Sequence, residues 1–236
     1  MLSRNFQKLK HEVACHVEAD RVAPGSYSTC FIGCLAHGKD DPDYIEAQYG
    51  IPLMVTRIAE SIFEVLPADE APKFFAVFPE AIGCDGKDLS LVGWKFLAAE
   101  LRSLPPVPDD IQAVINSVIT GMDLLASGEE WSREKAVKAL MAASSFTAAH
   151  AAAAVCYAAH AAAYTADAAD AADAAARAAD VSVDAARAAA YIDSAHAVAC
   201  AADASVDAAR AAAHAARRRQ RDLLLKLIKE APNPSK

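Results

Sequence analysis

Glycine is absent from the last 108 residues of this 236-residue chain, and between Gly128 and Pro232 there is no proline. Aromatic residues make up only 7% of the sequence. Six cysteines (Cys15, Cys30, Cys34, Cys84, Cys156 and Cys200) are too few and too scattered for a disulfide framework in a chain this long, so reduced thiols are expected. The N-terminus, Met1 to Val13, lacks the apolar core of a signal peptide, and no long apolar run reaches bilayer length. The candidate run from Ala148 to Ala163 is interrupted by His150 and His160 and is mostly alanine, a weak hydrophobe. These absences point to the cytoplasm and away from a membrane partner. Missing too are a phosphate-binding glycine loop, a Gly-x-Ser-x-Gly elbow and a His-Glu-x-x-His helix, so the reading leans away from an enzyme.

What is present in quantity is alanine, about a quarter of all residues. The chain is 54% hydrophobic, which excludes intrinsic disorder as its general character. Its formal net charge is −8, which disfavours nucleic acid as the principal partner. Composition changes sharply near Gly128. All nine glycines and nine of the eleven prolines lie at or before it, whereas roughly half of residues 136–216 are alanine. A boundary is therefore expected near Ser127–Ser132, giving an N-terminal helical domain over 1–128 and an alanine-rich helical domain over 129–236, with the option of a shared core.

The N-terminal half is punctuated like a set of short helices. Ser3 is expected to cap a helix through about Ala19, with Phe6, Leu9, Val13 and Val17 on one side. Ser26 or Ser28 starts a helix across Cys30–Leu35, and Gly38 ends it. Pro42 and Gly50 bracket a third. Pro52 opens a fourth, with Leu53, Ile58, Ile62 and Leu66 on its apolar side. Ser90 is expected to cap a helix through Leu101, and Pro108 with Asp109 and Asp110 opens one that runs to Gly128. No alternating run bounded by hairpin turns appears. The predicted class is all-α.

In the C-terminal half alanine supplies helix propensity for about a hundred residues without a breaker. A single rod of that length would bury almost nothing, so several closely packed helices are expected. Asp167, Asp170, Asp173, Arg177, Asp180, Asp184 and Arg187, then Asp203, Asp207, Arg210, His214, Arg217 and Arg221, step by threes and fours, as a solvent-facing stripe requires. Ser182–Ala190 recurs as Ser205–Ala213, which suggests a repeated unit with breaks near Asp180–Ser182 and Asp203–Ser205; further breaks are read at Ser144–Ser145 and near Thr165. The final helix carries Leu224, Leu227 and Ile228 on one side and is expected to pack on the N-terminal half.

Four constellations bear on chemistry. Cys30 and Cys34 are four apart, as are His11 and Cys15, and His37 follows closely. Two helices presenting such pairs would make a tetrahedral Cys/His zinc site, while buried free thiols explain the same residues. Asp85 and Asp88 in Gly83–Ser90 do not match a calcium loop, and a tight turn at Asp85-Gly86 accounts for them. The spacings of His150, His160, His196 and His214 suit no metal pair. Arg217, Arg218, Arg219 and Arg221 could contact phosphate, but on a helix they spread around the circumference, where the acidic stripe offers partners.

The blocks Ala-Ala-Arg-Ala-Ala-Ala and Ala-Ala-His-Ala-Ala, between about Ala148 and Arg221, resemble the alanine-rich helical region of bacterial immunity proteins of the Imm-5-like group. Cys30 to His37 and Gly83 to Leu89 look like parts of uncharacterised bacterial and phage proteins. The resemblance implies a small cytoplasmic protein that binds and neutralises a toxin, and it transfers no functional residue. The leading expectation is a non-enzymatic binding protein without a cofactor, acting on a protein partner through an acidic helical surface. One alternative is a zinc-binding protein or enzyme using Cys30, Cys34, His37 and His11 or Cys15. Another is a phage- or host-defence protein that sequesters a small ligand between helices. A homo-oligomer stays open.

Overall fold

The computed structural model describes residues 1–26, 28–144, 172–178, 180–181 and 202–234. These residues form an all-α protein: no strand occurs among them, only an isolated bridge between Leu2 and Asp88. The helices are α1 (Phe6–Glu18), α2 (Phe31–Leu35), α3 (Pro42–Tyr49), α4 (Leu53–Val65), α5 (Ala71–Ile82), α6 (Val92–Arg102), α7 (Asp109–Ser127), α8 (Arg133–Ser144) and α9 (Ala202–Glu230). Residues 172–178 are helical as well.

Local chemistry sets most of the boundaries. Asp41 accepts the Tyr44 amide at 2.9 Å, and Pro42 occupies the first turn of α3, where its missing N–H has no helical partner to lose. Gly50 ends α3 at φ 65°, and Gly128 ends α7 at φ 82°; both are left-handed conformations that glycine adopts without a Cβ penalty. Two expected caps are corrected. Ser3 does not cap α1. It is buried, donates to the Cys84 carbonyl at 2.9 Å and accepts the Lys87 amide at 2.9 Å. Asn5 precedes the helix instead, and the Phe6 amide is capped by Asp85 from a distant loop at 2.8 Å. Ser90 likewise turns back to Asp88, so α6 starts at Val92.

Helix α5 has no counterpart in the sequence expectations. Pro72 sits in its first turn and Pro79 inside it, and prolines at those positions disguise a helical period carried by Phe74, Phe75, Phe78 and Ile82. Its phenylalanines join Phe31 and Phe63 in an aromatic cluster, with ring centroids from 4.9 Å (Phe31–Phe78) to 6.4 Å (Phe63–Phe75). The scarce aromatics are thus concentrated at the centre of one core, where each ring contributes large apolar area and edge-to-face contacts.

That core does not stop at residue 128. The same buried cluster contains Trp131, Ala136, Ala139, Ala174, Ala175, Ala178, Leu224 and Ile228. Helix α9 packs on α4, α5 and α6, and its Leu224 and Ile228 are fully buried. Over 172–178 the alanines at 172, 174, 175 and 178 face inward, while Asp173 and Arg177 are exposed, as the alanine-seam pattern requires. Helix α9 is described from Ala202, so Asp203–Ser205, where the sequence suggested a break, lie in its first turn. The repeat copy Ser182–Ala190, the breaks at Ser145 and Thr165, and His150, His160 and His196 lie outside the described residues.

The loop Gly83–Leu89 clasps both ends of the chain. Asp85-Gly86 forms the expected turn, with Gly86 at φ 84°. The Ser3 amide donates to the Lys87 carbonyl at 2.7 Å, and the Asp88 amide donates to the Pro232 carbonyl at 2.8 Å. The Lys87 ammonium reaches the carbonyls of Ala81, Ile228 and Lys229, so one cation satisfies the C-terminal ends of both α5 and α9.

Candidate functional site

Glu60 and Glu64 are four apart on α4, so they project from the same helical face. Cys30 is the N-cap of α2, and its sulfur accepts the Gly33 amide at 3.2 Å. The backbone around α2 positions both carboxylates. Glu60 Oε2 accepts the Ile32 amide at 2.8 Å, and Glu64 Oε2 accepts the Gly25 amide at 2.7 Å. One ligand-type atom from each of Cys30, Glu60 and Glu64 falls within 4.8 Å of the other two. The cluster borders a cavity of about 380 Å³ that Asp40 and Arg57 also line. Arg57 is already engaged, with Asp40 at 2.9 Å and Asp173 at 3.2 Å.

Burial governs the protonation of Cys30 and Glu60. Desolvation, with the adjacent Glu60 carboxylate second, pushes the Cys30 thiol up to about 12. Desolvation also raises Glu60 above the ordinary carboxylate range. Cys34 is pushed up to about 11, again mainly by burial. Thiols held this far in the protonated form are poor nucleophiles, so neither cysteine has the environment of a reactive thiol.

The structure does not gather the residues expected to hold zinc. Cys30 turns toward Glu60, while Cys34 lies against the carbonyls of Arg21 and Thr29, at 3.6 and 3.4 Å. His37 contacts the Tyr44 hydroxyl at 3.0 Å. His11 and Cys15 are paired on the exposed side of α1 at 3.6 Å. The helix-face argument is sound for His11 with Cys15. For Cys30 it fails, because Cys30 lies at the cap rather than inside the helix. The glutamates were missed because their partner is thirty or more residues away in sequence. The only available signal was their i, i+4 spacing, which is common on solvated helices.

A second polar cluster joins α9 to the rest of the core. Arg217 is 3% exposed although it belongs to the stripe expected to face solvent. It donates to Asp180 at 2.5 Å and to Gln220 Oε1 at 2.9 Å, and Ser61 bonds to the same Asp180 carboxylate. The Gln220 amide donates to buried Glu100 at 2.8 Å, and Arg219 approaches Glu100 at 3.4 Å. Arg218 and Arg221 converge on Glu70, at 2.6 and 3.0 Å. Arg218 first, and then Arg221, hold the Glu70 carboxyl below its usual range. The whole arginine run is therefore occupied by acidic groups of its own chain. The solvent-stripe expectation fails at Arg217 because α9 rests on α4–α6 through this face, not through a pure alanine seam.

The carboxylates in Gly83–Ser90 are occupied in the same sense. Asp85 caps α1, and Asp88 bonds to Ser90 and to the N-terminal ammonium at 3.0 Å. No described helix is long and apolar enough to cross a membrane. No protein-family model, no curated protein and no solved structure matches the chain.

Proposed function

We propose that this chain is a non-enzymatic, cytoplasmic binding protein of the immunity or defence type, which engages a basic protein partner through its net acidic surface. The observation that carries this reading is the internal pairing of the arginine run. Its densest positive block is tied to Glu70, Glu100 and Asp180, so it presents no open cationic patch to an acidic partner. The formal charge of −8 then falls on the remaining surface. Glu129, Glu130 and Glu134 stand exposed around the α7–α8 turn, and Asp109 and Asp110 stand exposed at the start of α7. Such a surface steers a cationic partner and repels nucleic acid. The resemblance of the alanine-rich segment to immunity proteins supports the same direction.

The test is capture on the immobilised full-length chain, from lysate of the producing cell, across a salt gradient. A strongly basic protein should be retained at low salt and released as salt shortens the screening length. Retention that ignores salt, or no retained protein at low salt, overturns the reading.

A further inference from the structure

From the convergence of Cys30, Glu60 and Glu64, we propose that the pocket between α2 and α4 is a divalent metal site of the zinc class, with the Cys30 sulfur and the two carboxylates as ligands. The site is distinct from the binding surface proposed above and does not depend on it. Thiolate and carboxylate are both ordinary zinc ligands, and three protein ligands leave a position for water. The bordering cavity of about 380 Å³ has room for that water. Ligand atoms on one tetrahedral zinc sit roughly 3.3–3.8 Å apart. The three atoms here lie within 4.8 Å of one another, so the site closes with side-chain rotations of at most about 1.5 Å.

Three observations separate this cluster from a solvated acidic patch. First, its donors are of two chemical kinds and come from two elements. Second, each carboxylate has one oxygen held by a backbone amide, Glu60 by Ile32 and Glu64 by Gly25. That is how outer hydrogen bonds orient the remaining oxygen of a metal-binding carboxylate. Third, Glu64 Oε1 is enclosed and has no hydrogen-bond donor among the described residues. A buried acceptor without a partner is unfavourable, and a cation would satisfy it. Arg57, which lines the same pocket, does not fill this role, because its guanidinium is held by Asp40 and Asp173. On binding, the sulfur–hydrogen bond of Cys30 breaks, its proton passes to solvent, and a sulfur–metal bond forms in its place. No oxidant or reductant is involved.

The experiment is titration of the chelator-treated full-length protein with Co²⁺, followed by displacement with Zn²⁺. Binding of about one Co²⁺ per chain with a thiolate-to-cobalt charge-transfer band is expected, and Zn²⁺ should abolish the band. Cys30→Ser should lose the band, while Cys34→Ser and Cys15→Ser should keep it. Glu64→Gln is nearly isosteric and partly exposed, so it keeps the fold; it should weaken binding by at least about tenfold. Far-ultraviolet circular dichroism on each variant reports folding, and if Cys30→Ser does not fold, Glu64→Gln decides alone. Absence of stoichiometric binding, a band that survives Cys30→Ser, or an unchanged affinity in Glu64→Gln overturns the proposal.

Discussion

Replacing Gly50 by alanine isolates the energetic role of the N-terminal strap. Gly50 has φ 65°, and an added Cβ would lie 2.0 Å from the Leu2 carbonyl oxygen. Gly38 has φ 83° with nothing within 4 Å of such a Cβ. The left-handed conformation itself costs an L-residue about 1–2 kcal/mol. Gly38→Ala should therefore cost about that much. Gly50→Ala bears the same cost plus a clash with backbone, which cannot rotate away as a side-chain tip can. Relief requires the strap to move, and the strap is held by the hydrogen bonds Ser3–Lys87, Arg4–Tyr49, Leu89–Met1 and Gly86–Ser3, between 2.7 and 3.0 Å. At about 0.5–1.5 kcal/mol each, losing most of them adds about 2–5 kcal/mol. The difference between the two variants in urea denaturation should be at least about 2 kcal/mol, or roughly 4–8 °C in melting temperature for a chain of this size. If the two variants agree within about 0.5 kcal/mol, the strap does not lie against Gly50 as described.

Three further outcomes follow from the same geometry. Arg217→Ala removes the buried donor to Asp180 and Gln220 and should lower stability by about 2–3 kcal/mol in urea titration, and Arg217→Lys should recover only part of it because lysine lacks the planar fork whose separate nitrogens reach the two acceptors; a neutral Arg217→Ala would refute the network. Hydrogen bonds from Ser90, then the N-terminal ammonium, lower Asp88 from 3.8 to about 2. Its contribution to stability is thus complete above about pH 4 and lost as pH falls through about 2. Melting curves of wild type and Asp88→Asn should differ at neutral pH and converge toward pH 2; parallel curves down to pH 2 would contradict this. In timed alkylation at pH 8 with peptide mapping, exposed Cys15 should label quickly, while Cys30 and Cys34 wait for unfolding because their thiols are buried and protonated; equal labelling of the three would show an open α1–α2 region.

Much of the N-terminal fold was legible because its signals are local. Asp41-Pro42 and Gly50 mark α3 through dihedral preference alone, and Leu53, Ile58, Ile62 and Leu66 mark the buried side of α4 through spacing. The alanine-inward pattern of 172–178 was equally readable, because only alanine lets neighbouring helix backbones come so close. Helix α5 was hidden because Pro72 and Pro79 carry the signature of a break, and its place in the core shows only in the packing of Phe75 against Phe31 and Phe63. Spacing could identify Cys30 as a ligand type, but it could not choose Glu60 and Glu64 over Cys34 and His37 as its neighbours.

The sequence by itself determined the all-α class, the acidic balance and most limits of the described helices, since these depend on composition and on contacts within about four residues. The tertiary structure alone decided which polar groups meet. Arg217 looks like a solvent residue until α9 lies on α4, and Asp85 looks like a turn residue until it caps α1. Cys30 looks like half of a cysteine pair until the cap of α2 meets the face of α4. Each of these pairings spans at least thirty residues. Burial selects those of Arg217 and Cys30, because an unmatched polar group is unfavourable wherever the fold encloses it, whereas exposed Asp85 is brought to α1 by the path of its loop.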